Sequence, residues 1–136
     1  MKSRSESLIR LKKFQVDEKR RQVAQIEMMV ADFERMAAEL DQQIEIEQTK
    51  TGISDVAHFA YSTFAKAAIA RRDNLLRSAG DMRDKLEAAQ DALAEAVEDL
   101  KKVELLDQRE HTREIAEEDK AEQSEYDEIG RLRKAR

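Results

Sequence analysis

Apolar side chains at Val23, Ile26, Val30, Phe33, Ala37, Leu40 and Ile44 follow one another in alternating steps of three and four residues. Such spacing keeps them on one narrow stripe of an α-helix. A stripe two residues in seven wide is a coiled-coil seam, not the broader buried face of a bundle helix. The same steps taken backward reach Lys19, Val16, Lys12 and Ile9, so the pattern runs from 9 to 44 with two lysines interrupting it. A second stripe runs through Leu75, Ala79, Met82, Leu86, Ala89, Leu93, Ala96, Leu100 and Val103, and its small residues let two helices approach closely. Each stripe needs one partner, and each is the natural partner of the other.

The chain can turn between them in QTKTGISDVAHFAYSTFAK, residues 48–66, which holds Gly52 and two candidate helix N-caps, Ser54 and Ser62. If the outermost seam residues Ile9 and Val103 oppose each other, the midpoint falls at residue 56, inside that segment. On this register Val30 faces Met82 and Ile44 faces Ala68. The pattern therefore predicts an all-α fold, a single antiparallel two-helix coiled-coil hairpin with a longer second helix. Helix 1 spans about 9–48, the tip about 49–61 and helix 2 about 62–128. Past Val103 the seam positions are Asp107, Glu110 and Glu114, so residues 107–136 overhang the first helix, projecting roughly 45 Å if helical. Tyr126, Ile129 and Leu132 share one face of that overhang by their spacing, and burying them would take a partner surface.

Composition supports long helices over a globular core: 40% of the 136 residues are charged, 4% are aromatic, glycines number three and proline is absent. With no cysteine there is neither a disulfide framework nor a thiolate metal site. No apolar run approaches the roughly 20 residues of a membrane span, and the basic start MKSRSESLIRLKK lacks the apolar stretch of a secretory signal. A soluble cytoplasmic protein with no membrane insertion is the expectation. Charge is uneven along the chain. Residues 1–21 hold eight Lys and Arg against three acids, residues 107–128 ten acids against three bases, and residues 131–136 four bases.

Motifs for catalysis are missing, because Gly52, Gly80 and Gly130 are isolated and no metal-ligating or nucleophilic cluster occurs. Asp55 and His58 could supply two ligands to a metal but leave its coordination incomplete, and His111 between Asp107 and Glu114 reads as a surface histidine. Neither enzyme activity nor a cofactor is expected. Nucleic-acid binding is disfavoured, since Lys12, Lys13, Lys19, Arg20 and Arg21 scatter around the helix and stacking aromatics are scarce. Three of the six aromatics, Phe59, Tyr61 and Phe64, gather at the tip. They serve either as a plug that closes the hairpin or as an anchor patch for a partner.

The order of these pieces resembles the flagellar export protein family FliJ along essentially the whole chain. The carrying residues are LIRLKKF near the N-terminus, Phe64 after the tip, KKVELLDQRE at 101–110 with Lys102, Leu106 and Arg109, and EQSEYDEIG at 122–130 with Glu122, Gln123, Asp127 and Glu128. The alanines after Phe64 depart from the family, in which a larger apolar residue is common at the position of Ala68. The resemblance implies a stalk similar to the central shaft of rotary ATPases, located in the cytoplasm at the flagellar basal body on the inner membrane. Its partners would be the export ATPase FliI, the export-gate protein FlhA and export chaperones. Candidate ATPase contacts are Lys12, Lys13, Arg20, Arg21, Tyr126, Ile129, Arg131, Leu132 and Arg133, with Lys134 and Arg136 completing the basic end. Candidate gate contacts are Phe59, Tyr61, Phe64 and Ala68. Injectisome stalk proteins of the YscO type are similar in architecture, and EQSEYDEIG favours the flagellar reading. A different class, a chaperone-like coiled-coil binder of export substrates, would use the tip instead.

Overall fold

A computed structural model describes residues 4–135; Arg136 of the basic end lies outside them. The described residues are all-α, with two helices, the second the longer: α1 spans Arg4–Thr51 and α2 spans Thr63–Lys134. Both run past the limits that the apolar stripes suggest. The flanking residues are polar helix formers with no proline to stop them, and propensity extends a helix where the stripe is silent.

Within residues 17–94 the two helices form the hairpin. Every seam position named from the sequence is buried or half-buried here, including Val30 and Met82, and Ile44 and Ala68 are buried. The tightest positions are small. Ala65 and Ala79 are fully enclosed, as Ala37 nearly is, while Leu75 and Leu86 stay half-buried. Two helices alone make a seam only two side chains deep, so a long side chain always leaves an edge in water. Polar residues flanking the seam bond across it. Arg72 Nη1 donates to Asp41 Oδ1 at 2.7 Å and Arg83 pairs with Glu34. The bond to Asp41 is the main reason the Arg72 guanidinium is held above its ordinary pKa, with Asp73 adding to the effect. A raised folded pKa means that the charged guanidinium favours the folded state, a contribution present below the ordinary arginine range and lost only as the pH rises through it. Arg72→Ala should cost about 1 kcal/mol in urea unfolding at neutral pH. Arg35→Ala, which loses only exposed bonds within α1 to Asp32 and Glu39, should be nearly silent.

The turn is built residue by residue. α1 ends because Gly52 adopts φ of +74°, the left-handed conformation, and its N–H donates to the Gln48 carbonyl at 2.9 Å. This is the left-handed glycine C-cap. An added Cβ at Gly52 would meet no neighbour, so the cost of Gly52→Ala is backbone strain alone. About 1 kcal/mol is expected in a thermal melt, with the helical content of the folded state unchanged. Asp55 then makes an Asx turn, its Oδ1 accepting from the Ala57 N–H at 3.0 Å and its carbonyl from the His58 N–H at 3.0 Å. Of the two candidate caps, Ser62 is the one used. Its Oγ accepts from the Ala65 N–H at 3.2 Å and donates to Glu47 Oε1 at 3.0 Å, so one hydroxyl both starts α2 and ties it to α1. Ser54 lies in the loop, well before α2 begins.

Residues 4–16 and 95–135 form the second body. Ile9, Lys12 and Val16 keep the seam against α2, and Val16 is buried. Pairing reaches further than the stripe predicts. Ser5 is half-buried and its Oγ donates to Glu110 Oε2 at 3.2 Å, and Asp107 is half-buried, so residues 107–110 lie alongside α1. Arg4, Ser5 and Glu6 line one groove with Asp107, Glu110, His111 and Glu114, so among the described residues the arm runs unaccompanied only beyond about residue 114; from 111 to 135 every residue is exposed although the helix continues to Lys134.

Candidate functional site

At the tip the aromatics part company. Tyr61 is 5% exposed, and its hydroxyl accepts a 2.8 Å bond from Gln48 Nε2, which pins the end of the loop onto the last turn of α1. Ala68 is buried in the seam about two turns further on. Both of these candidate gate contacts pack within the hairpin, with little of either side chain at the surface. A ring with a satisfied hydroxyl gains more from filling the end of the seam than from facing water. Phe59 is the opposite case. It is 96% exposed, stacked against His58 with ring centroids 4.7 Å apart. Phe64 and Val56 are exposed beside it in sequence.

His58 holds this arrangement. Its carbonyl accepts from the Tyr61 N–H at 3.0 Å and its Nδ1 accepts from the Ala60 N–H at 3.0 Å. The sequence signals neither this role nor the exposure of Val56. Asp55 and His58 are thus both engaged by the loop backbone. Among the described residues no group of three or more His, Asp or Glu is placed to hold a metal ion.

On the arm, Tyr126, Ile129 and Leu132 are 71%, 49% and 66% exposed and line shallow grooves along one side of α2. Gln123 Nε2 donates to Asp127 Oδ1 at 3.3 Å along the same helix. Arg131, Arg133 and Lys134 occupy the last turn, where cations suit the negative end of the helix dipole. Of the basic residues in α1 named from the sequence, Lys12 is half-buried at a seam position, while Lys13, Arg20 and Arg21 are exposed. Arg20 lies 3.8 Å from Asp17 within its own helix. A further apolar face, which the seam pattern does not mark, lies on α1: Leu8, Leu11 and Phe14 are exposed off the seam, at the same three-residue spacing as the face on the arm.

Two long helices that meet along a narrow seam and carry exposed apolar side chains off it define a coiled-coil protein. No helix among the described residues is long and apolar enough to cross a membrane. The family model of the flagellar FliJ protein matches residues 1–136, and the chain belongs to that family. It is accordingly a flagellar, export-related coiled-coil protein. No curated protein and no solved structure matches it.

Proposed function

We propose that this protein is a non-enzymatic stalk and adaptor of the flagellar export apparatus, regulating the export ATPase FliI and bridging it to the export-gate protein FlhA. The observation that carries the reading is the arm beyond about residue 114, a continuous helix whose apolar face has no partner among the described residues. A narrow helix with a basic end suits the central channel of a ring, and Arg131, Arg133 and Lys134 would meet carboxylates or carbonyls lining it. Lys13, Arg20 and Arg21 would add exposed charge from α1, with Lys12 contributing chiefly through packing. The stalk acts by touching different ring states unequally, which shifts their populations without chemistry of its own. Phe59 and Phe64 are the anchor for the gate protein, and export chaperones would be exchanged at the same apparatus. In the cell the protein works in the cytoplasm, held at the basal body by these partners. Membership of the flagellar family favours this system over the injectisome.

Mixing the purified chain with the export ATPase tests the proposal. At near-stoichiometric ratio the rate of hydrolysis or the fraction of hexamer should rise. A substrate-holding chaperone, the alternative, would leave both unchanged and instead suppress aggregation of unfolded export substrates.

A further inference from the structure

The apolar face Leu8–Leu11–Phe14 on α1 cannot be covered by the chain's own arm. The three residues point away from the seam, and the arm continues past Glu110 as an unbroken helix that does not turn back. Both faces have the same ladder, three apolar side chains three residues apart. The stretches that hold them are of opposite charge, since residues 4–14 carry four bases against one acid and residues 122–132 four acids against one base.

We propose that a second copy of this chain supplies the missing cover: Leu8, Leu11 and Phe14 of each copy pack on Tyr126, Ile129 and Leu132 of the other. The geometry closes. Within one chain α1 and the arm run in opposite directions, and a two-fold axis across the helices reverses the partner, so the partner's α1 runs parallel to the arm. Each copy then gives one face and receives the other, an isologous contact that stops at two. In the parallel register that sets Leu8 level with Tyr126, Leu11 meets Ile129 and Phe14 meets Leu132. The same register brings Arg4 level with Glu122 and Arg10 level with Glu128. Lys13 beside Arg131 is the like-charge exception in this stretch. The association is an interaction of the chain with itself, so its outcome does not depend on the export ATPase. An arm paired in this way is closed to any other partner that needs the Tyr126 face.

The absence of cysteine from the sequence permits a direct test. Ile129 lies about 28 Å along the helix from Glu110, so cysteines at 11 and 129 of one chain are too far apart to bridge. The double variant Leu11→Cys, Ile129→Cys should oxidise to a disulfide-linked dimer, and each single variant should not. In sedimentation equilibrium the unaltered chain should approach twice its monomer mass as concentration rises, less readily in high salt. Leu11→Glu and Ile129→Glu should each weaken the association by roughly tenfold or more, because either change buries a charge in the contact. Their circular dichroism melts should match the parent, since both side chains are exposed in the single chain. A chain that stays monomeric at every concentration overturns the proposal. So does a double cysteine variant that fails to cross-link, or a pair of glutamate variants that associate like the parent.

Discussion

Replacing Tyr61 by alanine should destabilise the hairpin of residues 17–94 by about 3 kcal/mol, while Phe59→Ala, removing an equally large ring five ångströms from His58 at most, should change it by no more than about 0.5 kcal/mol. The ring of Tyr61 fills the end of the seam, so its loss leaves a cavity where the two helices meet. Its hydroxyl also accepts from Gln48 Nε2, and removing it strands a part-buried donor. Phe59 touches little beyond the His58 ring and faces solvent. Urea unfolding followed by helical circular dichroism measures both changes. Tyr61→Phe, which keeps the ring and drops only the hydroxyl, should lie between them at about 1 kcal/mol. A Tyr61→Ala variant as stable as the parent would show that the ring does not close the hairpin. In binding measurements with the gate protein the order should reverse among the exposed rings: Phe59→Ala and Phe64→Ala weaken the complex with little change in the melt, as anchors do.

Deleting residues 124–136 should abolish stimulation of the export ATPase while the hairpin still folds. Folding survives because residues 111–135 are exposed throughout and their bonds are local to α2, so their removal exposes no seam. Stimulation fails because the deletion removes the Tyr126, Ile129 and Leu132 face together with the cations of the last turn. Changing Arg131 and Arg133 to Glu, or Arg20 and Arg21 to Glu, should produce graded and salt-dependent losses, since exposed charges act collectively and weakly. Hydrolysis assays at two ionic strengths, beside a melt of the truncated chain, give the comparison. Full stimulation by the truncated chain would place the ATPase contact elsewhere and refute the end-on stalk.

The two-helix architecture was legible in the sequence because a coiled coil writes its contacts as a period. Every position from Ile9 to Ile44 and from Leu75 to Val103 that the three-and-four steps select is buried or half-buried in the structure. Turn chemistry was nearly as legible: Gly52 and Ser62 carry conformational preferences in their own side chains, or in the lack of one, and they end α1 and begin α2. The period says nothing about which of several like residues is enclosed. Phe59, Tyr61 and Phe64 are indistinguishable by composition. The Asx turn at Asp55 and the bond into His58 Nδ1 rotate Tyr61 inward and leave Phe59 in solvent. Nor could the stripe show where pairing stops, because Ser5 and Glu110 are polar and their contact is made by hydrogen bonding, to which an apolar pattern is blind. The outward face of Leu8, Leu11 and Phe14 became meaningful for the same reason. Its spacing is in the sequence, but only the packing of Ile9, Lys12 and Val16 against α2 shows that this face is left over. Periodicity thus determined which helices exist and which stripes meet, both local consequences of side-chain order. The exposure of each ring and the reach of each arm depend on atoms far apart in sequence, and only the folded chain brings those together.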